Sequence, residues 1–171
     1  MHLGYGVIDL APTRSRAVAY GELGQGLPVE PAAKLDELAL RIDRVMNTHC
    51  PDVLSYENQQ GVEVAMQRDG TGSNFHSRLL HEVSGMLRFA ARCSLDEPIP
   101  CYSPQPRSIK VALLGKGHAS ADKKAVQRGV EMLFGVRASS HVCDAIATAV
   151  CGARQHRVAM ATRRASATLI R

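Results

Sequence analysis

Apolar positions along the chain switch between alternating and helical spacing, and the switches outline the elements. Gly4-Tyr5-Gly6-Val7-Ile8-Asp9-Leu10 and the run from Ala17 to Gly21 read as two short strands. Pro12-Thr13-Arg14-Ser15 between them has turn chemistry, so residues 4–21 are expected to form a hairpin. After breaks at Gly24, Gly26 and Pro28, the residues Leu35, Leu38, Ala39, Ile42, Val45 and Met46 recur at helical spacing. Pro31 suits the first turn of that helix, where a missing N–H costs little. His49-Cys50-Pro51-Asp52 stops it, and Val53-Leu54-Ser55-Tyr56 makes a strand ending at Glu57.

Gly61, Gly70, Gly72 and their polar neighbours mark residues 58–75 as an expected mobile loop. A second helix gathers Leu79, Leu80, Val83, Met86, Leu87 and Ala90 on one side. Residues 98–102 make a short strand whose prolines belong at an edge or a strand end. A basic stretch with Arg107, Lys110, Lys116, Lys123 and Lys124 follows. A third helix is predicted from about Ser120 to Phe134 and a fourth over roughly Ser140 to Ala153. Residues 154–171 hold five arginines and no acid, and are expected to form a loose tail. This order describes one α/β layered domain over residues 1–153.

Composition narrows the class without naming a function. The 171 residues are 45% hydrophobic and 22% charged, which suits a globular domain and argues against disorder, collagen and coiled coil. No apolar run approaches the ~20 residues of a membrane span, and the first residues lack the pattern of a secretory signal. Five cysteines without a CxxC pair make a disulfide framework or a zinc site improbable, so a reducing cytoplasm is expected. Charge is divided unevenly: residues 1–97 net −4 and residues 98–171 net +9. That asymmetry points to an anionic partner for the C-terminal half, nucleic acid first, with a merely solvated basic surface as the alternative.

Against that basic background two acids stand out. Asp144 sits inside His-Val-Cys-Asp-Ala-Ile-Ala-Thr-Ala-Val, three residues after His141 and on the same helix face. Asp is costly to bury unpaired, so Asp144 is expected to meet a metal, a cation or water in a cleft; the competing reading makes it a helix N-cap. Ser139 and Ser140 offer better caps upstream. Glu57 ends an apolar strand, the position where open α/β sheets bind ligands, although alone it would read as a solvated junction residue. Together these groups could hold hard divalent cations through oxygen, with imidazole beside them. Two such ions about 4 Å apart activate water and stabilise a leaving oxygen in phosphodiester cleavage. The basic stretch would then hold the nucleic-acid backbone. No phosphate-binding glycine loop and no Ser/His/Asp nucleophile arrangement stands out.

At these residues the sequence resembles the RuvC family of Holliday-junction resolvases, within the ribonuclease-H-like superfamily. Gly4-Tyr5-Gly6-Val7-Ile8 resembles that family's second strand, and Pro51-Asp52-Val53-Leu54-Ser55-Tyr56-Glu57 the strand bearing its second catalytic carboxylate. Ile109-Lys110 and Ser120-Ala121-Asp122-Lys123 resemble its lysine-bearing segment, and His141-Val142-Cys143-Asp144-Ala145 its final helix. The resemblance implies a ribonuclease-H-like mixed β-sheet flanked by helices. It also implies a homodimeric endonuclease that nicks four-way DNA junctions symmetrically with magnesium, manganese being a substitute. A branch-migration helicase is an implied partner. Glu57, His141 and Asp144 would hold the metal, Lys110 would stabilise charge at the phosphate, and Arg107, Lys110, Lys116 and Lys123 would contact DNA.

One departure matters. The family opens with a strand ending Gly-Ile-Asp-Pro-Gly, whose Asp is a metal ligand, whereas this chain begins where the second strand should begin. Three explanations stay open: a start set too late, a non-catalytic relative that binds branched DNA, or a register in which Asp9 supplies the ligand. A different ribonuclease-H-like nuclease, acting on duplex or hybrid, is the remaining alternative.

Overall fold

A computed structural model describes residues 3–11, 15–58, 74–93 and 95–169. The hairpin forms as expected: β1 (Gly4–Leu10) pairs antiparallel with β2 (Ser15–Glu22), with a register irregularity between Val7 and Ile8. Helix α1 (Pro31–His49) begins on Glu30, whose carboxylate accepts from the amides of Ala32 at 3.1 Å and Ala33 at 2.6 Å. It ends on Cys50 in the left-handed conformation. A short parallel ladder joins β3 (Leu54–Ser55) to β4 (Cys101–Tyr102), with α2 (Asn74–Cys93) between them in sequence. Three helices follow: α3 (Pro106–Leu114), α4 (Lys123–Phe134) and α5 (Ser140–Leu169).

Two apolar cores lie on opposite faces of these strands. One gathers Ile109, Val126, Val130, Val142, Ile146 and Val150 from α3, α4 and α5. The other gathers Leu38, Ile42, Met46, Val83 and Ala90 from α1 and α2. The strands alternate between them, as the two-residue period requires. Leu3, Tyr5 and Leu54 pack toward the α1–α2 core, whereas Ile8 packs against the α3–α5 core. Gly6 lets β1 lie directly on α5, since a Cβ there would sit 2.6 Å from Ile146 Cγ1. Gly152 does the same for β3, where a Cβ would sit 2.6 Å from Ser55 Oγ.

Several expectations are revised. The sheet is divided: among the described residues, β1–β2 and β3–β4 are separate two-stranded ladders. The basic stretch contains a helix, α3, because Ile109, Ala112 and Leu113 bury one side of it. Helix α4 starts at Lys123 rather than Ser120, since Asp122 caps it by accepting from the Ala125 amide at 2.7 Å. The expected loose tail is instead helical to Leu169, a continuation of α5. Of the expected loop at 58–75, all but the two ends lies outside the described residues.

Candidate functional site

Helix α5 is the spine of the site. Ser139 precedes its first turn and accepts at Oγ from the Val142 amide at 3.5 Å, and its own hydroxyl donates to Glu22 Oε1 at 2.5 Å. Asp144 therefore lies in the second turn, not at the cap, so the N-cap reading does not hold. Ser55 Oγ donates to the Thr148 carbonyl at 3.0 Å, and Thr148 Oγ1 donates to the Asp144 carbonyl at 2.8 Å. These two bonds fix the end of β3 against one turn of α5. Glu57, two residues beyond Ser55, thereby comes within the electrostatic field of Asp144.

Both carboxylates are half-buried, and both hold their protons above the usual range. For Glu57 the cause is first burial and then the charge of Asp144, opposed by Lys110 and Lys123. For Asp144 burial dominates, opposed by Lys123, His141 and Lys110. Glu57, Lys110, Lys123, His141 and Asp144 line one cavity of about 970 Å³. Four of the expected site residues thus join Glu57 at a single place. Arg107 and Lys116 do not; they line a second cavity, of about 610 Å³, with Val111, Gly117, Ala119 and Ser120.

The metal question divides in the same way. Two half-buried carboxylates, one of them raised by the charge of the other, suit a hard divalent cation, which takes few protein oxygens and completes its shell with water and phosphate. A ready three-ligand centre is not formed: among the described residues, no three His, Cys, Asp or Glu side chains gather closely enough to hold an ion. The expected trio Glu57, His141 and Asp144 is therefore a carboxylate pair with a neighbouring imidazole.

Asp9 is elsewhere. Gly4 touches the His141 backbone, Gly6 lies on Ile146, and the Arg157 guanidinium donates to the Leu10 carbonyl, so β1 runs alongside α5 in the same direction. Thirteen helical residues separate Asp144 from Arg157, about 20 Å along the axis. Asp9 lies at the far end, exposed and 3.4 Å from Arg16. That placement favours the register in which Gly4–Leu10 is the second strand over the one that makes Asp9 a ligand beside Asp144.

Comparison with known proteins decides the family. The family model for crossover junction endodeoxyribonuclease RuvC matches residues 1–152. The chain belongs to the RuvC family. A RuvC from Parvibaculum lavamentivorans is 29% identical over 170 residues, covering 96% of this chain and 89% of the relative. The RuvC of Thermus thermophilus is 26% identical over 154 residues, covering 87% and 85% respectively. Among solved structures, Thermus thermophilus RuvC superposes with a TM-score of 0.73 at 24% identity, covering 92% of this chain and 90% of that one. The same RuvC in complex with Holliday junction substrate gives 0.72 at 23% identity, covering 93% and 90%. These likenesses carry the α/β, ribonuclease-H-like fold.

Sequence reasoning missed the hydroxyl relay through Ser55 and Thr148. Neither residue type is distinctive, and their pairing joins positions 93 apart in the chain.

Proposed function

We propose that this chain is a Holliday-junction-resolving endodeoxyribonuclease whose chemistry centres on Glu57 and Asp144. The observation that carries the reading is the half-buried carboxylate pair at the meeting of β3 and α5, faced by Lys110 and Lys123. In this reading the pair holds magnesium, with manganese as a substitute. Glu57 and Asp144 would hold the cation, which would supply a lowered pKa for the attacking water and charge stabilisation at the leaving oxygen of a phosphodiester.

The chain's own groups do the rest. Lys110 and Lys123 offset charge on the scissile phosphate, and His141 lends a positive field to Asp144. Ser55 and Thr148 keep the two carboxylates in register. Arg107 and Lys116 grip backbone phosphate away from the reacting one, a contact that weakens as salt rises. The enzyme works on DNA in a reducing cytoplasm, to which the five free cysteines are suited.

The deciding experiment is nicking of a synthetic four-way junction by this chain in magnesium, with linear duplex as control. Paired nicks confined to the junction are the expected result. Binding without cutting would make the chain a branched-DNA binder instead. Asp9→Asn should leave the nicking rate within about twofold, since an exposed surface substitution of this kind changes little.

Symmetric nicking needs two sites, and we place a second copy against the α1–α2 face, where Leu40 and Phe89 are 62% and 68% exposed. Phe89→Asp should then shift the protein from dimer to monomer in sedimentation and uncouple the two nicks. A branch-migration helicase remains the proposed upstream partner.

Magnesium should also act on the fold. A cation bound only by the native state adds about 1.4 kcal/mol for each tenfold rise above its Kd. A thermal melt should register this as a Tm increase of about 3–5 °C. Unchanged melting across that range would show that the carboxylate pair holds no ion.

A further inference from the structure

Helix α5 outruns the body it packs against. Among the described residues its buried positions end at Gly152, and every residue from Met160 to Ala167 is exposed. We infer that this distal half, from Arg154 onward, is a backbone-gripping arm: it holds the phosphates of one duplex arm of DNA outside the cleavage site. The arm adds a contact to the nuclease reading, on which its identity as a DNA contact rests.

Charge comes first. Residues 145–171 contain five arginines and no acid. Elsewhere arginines sit beside acids: Arg41 against Glu37 at 2.7 Å, Arg16 against Asp9 at 3.4 Å, and Arg137 against Glu131. Arg154, Arg157, Arg163 and Arg164 are all exposed, and they extend over about 15 Å of helix axis. A row of that length suits a polymer of repeated charges better than one small anion. Guanidinium groups also take phosphate oxygens two at a time.

Helix phase directs these groups. His156 Nδ1 lies 3.3 Å from the Tyr102 hydroxyl on β4, and the Arg157 guanidinium donates to the Leu10 carbonyl on β1. Those two residues mark the side of α5 that faces the strands. Two turns further on, Arg163 takes the side of His156 and Arg164 the side of Arg157. The strand-facing side of the helix therefore continues as a pair of guanidinium groups. The hydroxyls of Thr162 and Ser166 donate back to the carbonyls of Val158 and Thr162 at 3.0 and 3.1 Å. Between Met160 and Ala167 the arginines are thus the polar groups that project from the helix.

The arm is also preformed. No described residue beyond Gly152 is buried, so core packing does not hold these turns. Ala159, Ala161, Ala165 and Ala167, together with continuity from the packed half of α5, keep them helical. A segment already ordered loses little conformational freedom when it meets its ligand.

Binding without cutting tests the arm. Anisotropy titrations in EDTA of a four-way junction and a linear duplex, from about 50 to about 200 mM salt, compare the wild type with Arg163→Gln/Arg164→Gln. The double variant should bind both DNAs about tenfold more weakly at about 100 mM salt, and its slope of log K against log salt should be shallower by about two. Arg163→Lys/Arg164→Lys, which keeps the charge, should recover most of the slope. Arg137→Gln, at an exposed arginine before the other end of α5, is the control and should leave the slope unchanged. An unchanged slope in the glutamine variant, an equal loss from Arg137→Gln, or weakening on the junction alone would overturn the arm. A wild-type chain that binds neither DNA would overturn the nuclease reading as well, whereas binding that Arg163→Gln/Arg164→Gln leaves intact would overturn the arm only.

Discussion

Glu57→Gln should lower magnesium-dependent junction nicking on the order of 10³-fold while making the cation-free protein more stable. The two effects share one cause. Glu57 is half-buried within the field of Asp144, and both carboxyls are pushed above their ordinary values of 4.5 and 3.8. A raised folded pKa means that the native state binds protons more tightly than the unfolded chain. Stability from these groups is therefore fully present below the unfolded values and falls as pH rises through the folded ones. The wild-type chain carries the full penalty once both groups have lost their protons. Glutamine removes one of the two charges, so the variant should melt about 3 °C higher without cation and show a shallower decline of Tm above pH 4. Melts of both proteins in EDTA between pH 4 and 8, beside the junction assay, check both halves. A variant that loses activity and stability together would assign Glu57 a packing role instead.

Gly152→Ala is expected to be a strongly damaging single-methyl change. Its Cβ would meet the Ser55 side chain at the root of β3, with Oγ only 2.6 Å away. Neither side has an easy retreat, because Ser55 is tied to the Thr148 carbonyl and α5 is packed into its core through Val150 and Cys151 just before Gly152. Overpacking of this kind costs about 2–3 kcal/mol, or roughly 5–10 °C in Tm. Since Glu57 follows Ser55 by two residues, the same methyl should displace the carboxylate pair. Thermal melts and the nicking rate at a temperature where the variant stays folded separate the two consequences. Wild-type activity at that temperature would show that β3 position does not govern the site.

Legibility in the sequence followed periodicity. The hairpin, α1, α2 and the first half of α5 were visible because their apolar residues recur at the spacing of the structure they form. Helix α3 escaped because Pro106 opens it while Arg107 and Lys110 dominate its nine residues, hiding Ile109, Ala112 and Leu113. The second half of α5 escaped for a different reason. Beyond Ala153 it has little core to bury, so no apolar stripe records it. Glu57 and Asp144 were legible as acids misplaced in apolar surroundings. Their separation from Asp9, and the separation of Arg107 and Lys116 from Lys110, depend on strand direction and helix phase, which composition does not encode.

Helix α5 also works as a ruler. It runs unbroken for 30 residues, from the core around Ile146 to an exposed, arginine-bearing end. Asp144 and Arg163 are nineteen residues apart on it, about 28 Å at 1.5 Å per residue. Duplex DNA rises 3.4 Å per step along each strand, so that interval spans about eight base pairs. Under the proposed function, phosphates met at the carboxylates and at the distal arginine would lie most of a helical turn apart. The spacing is set by helix geometry alone, and an insertion or deletion between the two residues would shift it by 1.5 Å and rotate the arginine about 100° around the axis.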